Sequence, residues 1–208
     1  IGVFISREIK IWSWNDPYGI RRDANGIIKI IIDFKWDFNL EGLIRLAASR
    51  FFTNLEAQAE SIKTIDELFR SRMENVFKDF LKIRYDVVNS ILTREGLWIY
   101  RSYLRGREVS EIVKTEAIDN LTTLHKRLKN IVKDSPQFTL KEEVLVDKDE
   151  KILFEIFKES KVKVEELLEG HQYLNACSKI LEMKPVIDNF FESVLVMAKE
   201  QELRENRI

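Results

Sequence analysis

Apolar residues recur at helical spacing along most of this chain, most clearly in Glu169–Ile208. Tyr173, Ala176, Cys177, Ile180 and Leu181 fall at i, i+3, i+4, i+7 and i+8, which is one face of a helix. After Pro185 the spacing resumes in Ile187, Phe190, Phe191, Val194, Leu195 and Ala198. Proline has no N–H to donate and clashes with the preceding turn, so it suits the start of a helix better than its middle. The pattern predicts two helices that meet at Met183–Pro185 and pack face to face as an αα-hairpin. A period of 3.6 cannot serve a strand, whose side chains alternate with period two. Because every apolar stripe has the helical period, no sheet of three or more strands is expected.

Taken in order, Ile1 to Trp14 is apolar and irregular, an extended segment or a docking arm. Asp16 then reads as an N-cap, with Pro17 at the first helical position. Ile20, Ala24, Ile27, Ile28 and Ile31 carry the face that follows. Gly26 weakens that helix by about 1 kcal/mol against alanine unless something packs on it. Asn39 caps a helix bearing Leu40, Leu43, Ile44, Ala47, Ala48 and Phe51. A polar connection over residues 54–63 leads to Thr64-Ile65-Asp66-Glu67, a capping-box pattern. It opens a stripe of Phe69, Met73, Val76, Phe77, Phe80 and Leu81. Arg84 to Leu92 is a short helix ending near Gly96, and the conformation of Leu97 to Gly106 stays open. Glu108 to Lys133 reads as one long helix. Asp134 to Asp149, with Ser135-Pro136 and mixed charge, is the best linker. Beyond it, Leu153, Ile156, Phe157, Val164, Leu167 and Leu168 begin the last set. The architecture expected is all-α, a multi-helix bundle over residues 1–140 followed by a smaller helical unit over 141–208.

Composition narrows the functions. The 208 residues are 45% hydrophobic and 33% charged, with net charge −1, so any surface for nucleic acid must be local. The single cysteine, Cys177, excludes an internal disulfide and fits a reducing compartment; its place on an apolar face reads as a buried thiol. No apolar run reaches membrane-spanning length. His125 and His171 stand in no metal-ligating spacing, and no phosphate loop or nucleophile constellation occurs. Neither catalytic residues nor a metal site are expected. The positive charge is more informative. His125, Lys126, Arg127, Lys129 and Lys133 cluster in one stretch, either to meet RNA phosphates or as a solvated helix end whose cations favour the C-terminal dipole. Arg204, Asn206 and Arg207 follow the last apolar face, which places Arg204 and Arg207 outside it as exposed side chains. Arginine and asparagine hydrogen-bond base edges, and arginine also stacks on them; packing the chain end is the other role open to all three.

Several runs resemble a known family. Met183-Lys184-Pro185-Val186-Ile187-Asp188-Asn189-Phe190-Phe191-Glu192-Ser193-Val194-Leu195-Val196-Met197 and the ending Leu203-Arg204-Glu205-Asn206-Arg207-Ile208 are similar to the C-terminal region of the bacterial glycyl-tRNA synthetase β subunit. Asp16-Pro17-Tyr18-Gly19-Ile20-Arg21-Arg22-Asp23-Ala24-Asn25-Gly26-Ile27-Ile28 resembles a further motif of that family. So do Arg84–Leu92 and His125–Val132. One departure is Ile11-Trp12-Ser13-Trp14, where the family has a short loop of the Pro-Thr-Gly-Ser kind.

The resemblance implies that the chain, which begins at Ile1 without an initiator methionine, is a C-terminal piece of a longer cytoplasmic subunit. It implies that the final unit has the anticodon-binding fold named after an Asp-Ala-Leu-Arg signature. It also implies recognition of tRNA carrying a glycine anticodon and partnership with a catalytic α subunit in a hetero-oligomer. ATP would be used by the holoenzyme, with no cofactor held here and no catalysis by this piece alone. The RNA-binding residues so implied are Lys126, Arg127, Lys129, Lys184, Arg204, Asn206 and Arg207. A helical assembly module without RNA contact is the other function the sequence leaves open.

Overall fold

The computed structural model describes residue 16 and residues 18–51, 54–92, 96–133 and 139–208. The expectations for Ile1 to Trp14, for Pro17 at a helix start and for Ser135-Pro136 in a linker lie outside these residues. Within them the chain forms ten α-helices, a π turn and a 3-10 turn, and no strand.

The helices fall into two compact units, Ile1–Ser110 and Glu111–Ile208. The division lies within one helix, well before the 140/141 boundary expected from sequence. The helix Ala117–Val132 packs on Tyr173–Glu182 and so belongs with the chain's end.

The first unit is built on α3 (Leu55–Asn75), against which α1 (Ile20–Asp33), α2 (Leu40–Phe51) and α4 (Tyr85–Leu92) pack. Ile28, Leu68, Phe77, Val88, Leu97 and Ile99 are fully enclosed there. Asp16 caps α1 from outside it: Oδ1 accepts from the Ile20 amide at 2.9 Å and Oδ2 from the Arg21 amide at 2.9 Å. The residue next to the helix is Gly19, at φ 67°, a conformation costly for a side chain. As expected, Asn39 caps α2, its Oδ1 accepting from the Glu41 amide at 3.0 Å.

Two expectations for this unit fail for physical reasons. Residues 54–63 are no connection. Asn54 Oδ1 accepts from the amides of Glu56 and Ala57, so α3 starts at Leu55, and the presumed cap Thr64 sits mid-helix with its hydroxyl bonded to Glu60 O. The stripe from Phe69 to Leu81 is interrupted by a π turn, Val76–Phe80, closed by the Leu81 amide on Val76 O. The extra residue in that turn buries Phe77 and turns Phe80 out, 59% exposed, beneath the Lys29 ammonium at 4.0 Å. Leu97 to Gly106, left open in sequence, lies largely in α5 (Ile99–Ile112). The single helix expected over 108–133 is two, because the chain turns at residues 113–116, where Thr115 returns both its amide and its hydroxyl to Ile112 O.

The second unit is organised by α7 (Lys148–Glu169). Both α8 (Tyr173–Glu182) and α9 (Lys184–Ser193) lie on it, and α6 (Ala117–Val132) lies on α8. Pro185 is in the first turn of α9, as its chemistry requires. The αα-hairpin is corrected in one respect: α8 and α9 adjoin at Met183 but pack mainly on α7, which the two-helix pattern leaves out of account. Leu124, Met183 and Ile187 form the buried cluster, flanked by Leu153, Ile156 and Phe191. The short α10 (Gln201–Arg207) reaches back to the 3-10 turn Glu142–Val144. No helix of the described residues is long and apolar enough to cross a membrane.

Candidate nucleic-acid interface

All seven cations and amides singled out in sequence lie in the second unit, and they divide into residues that face solvent and residues spent on internal contacts. On α6 only Leu124 is buried, while Lys126 and Lys129, and Lys133 just past its last residue, are exposed. Their spacing of three and four residues places them in one row about 10 Å long. None of the three pairs with a carboxylate among the described residues. The only acidic residue within α6 is Asp119, in its first turn, so its last two turns form a continuous positive ridge. Those cations also complement the carbonyl end of the helix dipole.

Arg127, one step round the helix, is held instead. Its guanidinium lies 4.4 Å from the Phe191 ring, and Nη1 donates to Asp188 Oδ1 at 2.8 Å. Asp188 Oδ2 accepts from Lys184 Nζ at 2.6 Å. One carboxylate of α9 thus serves two cations, on α6 and on its own first turn. All three side chains keep between 30% and 41% of their surface in solvent.

The chain end differs from its sequence-based reading. Arg207 was expected outside the packed face, yet its side chain is 8% exposed and ion-paired with Glu150, itself 2% exposed. Nη2 reaches Asp147 Oδ2 at 2.8 Å, and Nη1 donates to Leu195 O at 2.9 Å. The reason is local. Glu150 is the third residue of α7, in a capping box with Asp147, and its Oε2 accepts from the amides of Val146 and Asp147. Its other oxygen needs a donor in a dry position, and Arg207 supplies it. Asn206 is occupied in the same way, accepting from the Lys141 amide at 2.7 Å and donating to Lys141 O at 3.1 Å. The Lys141 ammonium meets Glu202 at 2.7 Å, which raises the lysine pKa and lowers that of the glutamate; both side chains are exposed. Arg204 is half-buried and has no ion pair among the described residues. Asp188, Glu150 and Lys141 escaped the sequence reading. Only the Asp147-x-x-Glu150 spacing, a capping-box signature, could have flagged one of them. The Asp188 bridge depends on how α6 and α9 lie, which no local pattern specifies.

The second unit holds an apolar cleft of about 460 Å³, lined by Leu128, Phe154, Phe157 and Phe191 among others, and of the seven candidates Asn206 and Arg207 border it. Comparison with known proteins identifies the lineage. Residues 1–93 match a family described as the glycyl-tRNA synthetase beta subunit. A glycine–tRNA ligase beta subunit of Clostridioides difficile is 30% identical over 208 residues, all of this chain and 30% of the relative. The chain belongs to the glycyl-tRNA synthetase β-subunit family. Beta subunits from Persephonella marina, 28% identical over 217 residues, and Thermotoga petrophila, 31% over 198 residues, cover 99% and 94% of it. The chain spans roughly 30% of the length of these curated relatives, 31% and 28% for the latter two.

Proposed function

We propose that this chain is the tRNA-holding part of a glycine–tRNA ligase β subunit, and that the α6 ridge of Lys126, Lys129 and Lys133 grips the RNA backbone. The observation that carries the reading is that row of exposed lysines without carboxylate partners, on a chain whose relatives are named as β subunits of this ligase. Lysine reads phosphate as a point charge and carries no base information, so the ridge would position RNA while base contacts came from elsewhere. In this reading the second unit, with the helices from Lys148 onward, is the anticodon-binding domain of the Asp-Ala-Leu-Arg type. Its substrate is glycine tRNA, and its partner is an α subunit that carries out ATP-dependent aminoacylation in the cytoplasm.

A second reading has its own support. Arg127, Lys184, Asn206 and Arg207 all serve internal contacts, as they would in a module that only holds the holoenzyme together. The test is a tRNA-binding series over several salt concentrations, using the full-length β subunit with its α subunit and the variant Lys126→Ala/Lys129→Ala. Each lost phosphate contact lowers the slope of log affinity against log salt by about 0.7–0.9, so a drop of roughly 1.4–1.8 is expected. An unchanged slope, with α-subunit association weakened, would transfer the function to assembly.

A further inference from the structure

Asp188 joins two cations that the sequence marks as candidates for RNA contact. Its two oxygens are 2.8 Å from Arg127 Nη1 and 2.6 Å from Lys184 Nζ, the lengths of charge-assisted bonds. It lies beside the lysine ridge, since Arg127 directly follows Lys126. We infer that Asp188 stands in for an RNA phosphate, withholding Arg127 and Lys184 from RNA and so setting how strongly this surface binds any RNA. The inference rests on the reading of α6 as the RNA-facing helix.

Three observations support it. A carboxylate offers arginine the same paired oxygens as a phosphate, so the two compete for one geometry. The site is open: Arg127 keeps 41% of its side-chain surface in solvent and Lys184 keeps 32%, so a phosphate reaches both without unpacking the core. Arg127 is also held by Phe191 at 4.4 Å, so the guanidinium stays in place once the carboxylate charge is gone. An RNA phosphate entering here must displace Asp188 and then sit against its negative charge. Only RNA with enough other contacts tolerates that repulsion, which is how a built-in like charge raises discrimination.

The variant is Asp188→Asn, which keeps the shape and one acceptor oxygen and removes the charge. In the full-length β subunit with its α subunit, tRNA binding should tighten about tenfold, combining two exposed pairs of up to about 1 kcal/mol each. The salt slope should steepen by up to about 1.4–1.8 for two new phosphate contacts. Glycine and non-cognate tRNAs should gain alike, and Arg127→Ala in the Asp188→Asn background should abolish most of the gain. A purely structural role predicts the opposite sign, a lower melting temperature with weaker binding. Unchanged or weaker binding by a folded Asp188→Asn protein overturns the inference. Should that variant not fold, the parent protein supplies the test. There Arg127→Ala should change affinity less than twofold while Lys126→Ala changes it several-fold, and equal losses would refute the withholding. If Lys126→Ala/Lys129→Ala leaves binding intact, the RNA reading itself fails; if it weakens binding and Asp188→Asn does not strengthen it, only this inference fails.

Discussion

Replacing Arg207 by alanine should act through stability. The side chain is 8% exposed, and its partner Glu150 retains only 2%, so the change strands a carboxylate in a dry position. Removing one partner of a buried ion pair costs roughly 3–5 kcal/mol. The amides of Val146 and Asp147, at 2.9 and 2.8 Å, continue to stabilise the Glu150 charge, which favours the low end, about 3 kcal/mol. With a urea m value of about 2 kcal/mol/M, the midpoint for the second unit should fall by roughly 1.5 M. The assay has to be chosen with care. All four tryptophans precede residue 111, so their fluorescence reports the other unit, and far-UV circular dichroism or hydrogen exchange at α7 is needed. Glu150→Gln removes the stranded charge, so in a double-mutant cycle the pair should show a coupling of about 2 kcal/mol. A loss below about 1 kcal/mol for Arg207→Ala would show that water replaces the guanidinium, and the argument from burial would fall. A loss of tRNA affinity at unchanged stability would restore the RNA role first assigned to this residue.

A β-carbon added at Gly26 meets nothing within 4 Å, so Gly26→Ala should stabilise α1 by about 1 kcal/mol, measured by urea titration. Lys35 occupies the left-handed position, φ 56°, of a Schellman end in which the Trp36 amide bonds Ile31 O and the Lys35 amide bonds Ile32 O. Lys35→Gly should therefore raise stability by about 1 kcal/mol in the same titration. The exposed Asp86 carboxyl, hydrogen-bonded by Arg84, is pulled down to about 2. The small stability this pair adds is present above the ordinary aspartate value and is lost as pH falls toward about 2. A carbon-detected NMR titration should find that low midpoint, and Arg84→Ala should return it to the usual range.

Where a face and a cap both lie in one local stretch, the sequence was legible. Asn39, Pro185 and the buried set Ile20, Ala24, Ile28 and Ile31 stand where the pattern placed them. Asn54 was overlooked because the residues after it are polar; α3 begins as a solvated helix before its apolar stripe starts. The turn at 113–116 is hidden in the sequence because apolar residues continue on both sides of it, and the break shows in short-range bonds such as those from Thr115 to Ile112 and from Lys114 to Glu111. At the candidate interface the residue types were found but not their engagements. Exposure of Lys126 and Lys129 follows from helical phase alone, whereas the occupation of Arg127, Asn206 and Arg207 depends on residues about 60 positions away, at Asp188, Lys141 and Glu150. Separations of that size leave no periodic trace.

The π turn at Val76–Phe80 has a consequence for chain length. A π turn carries one residue more than an α turn, so side chains before and after it differ in phase by about 100°. Deleting Lys78 or Asp79 would let the hydrogen-bond ladder close as an ordinary α-helix, with no backbone group lost. The same deletion would rotate everything downstream relative to Phe69 and Met73, carrying α4 away from the contacts it now makes with α3 and Ile83 out of its buried position. The backbone at this point is therefore indifferent to a one-residue shortening, and the core is not. The turn acts as a vernier, fixing by a single residue the angle at which one half of the first unit meets the other.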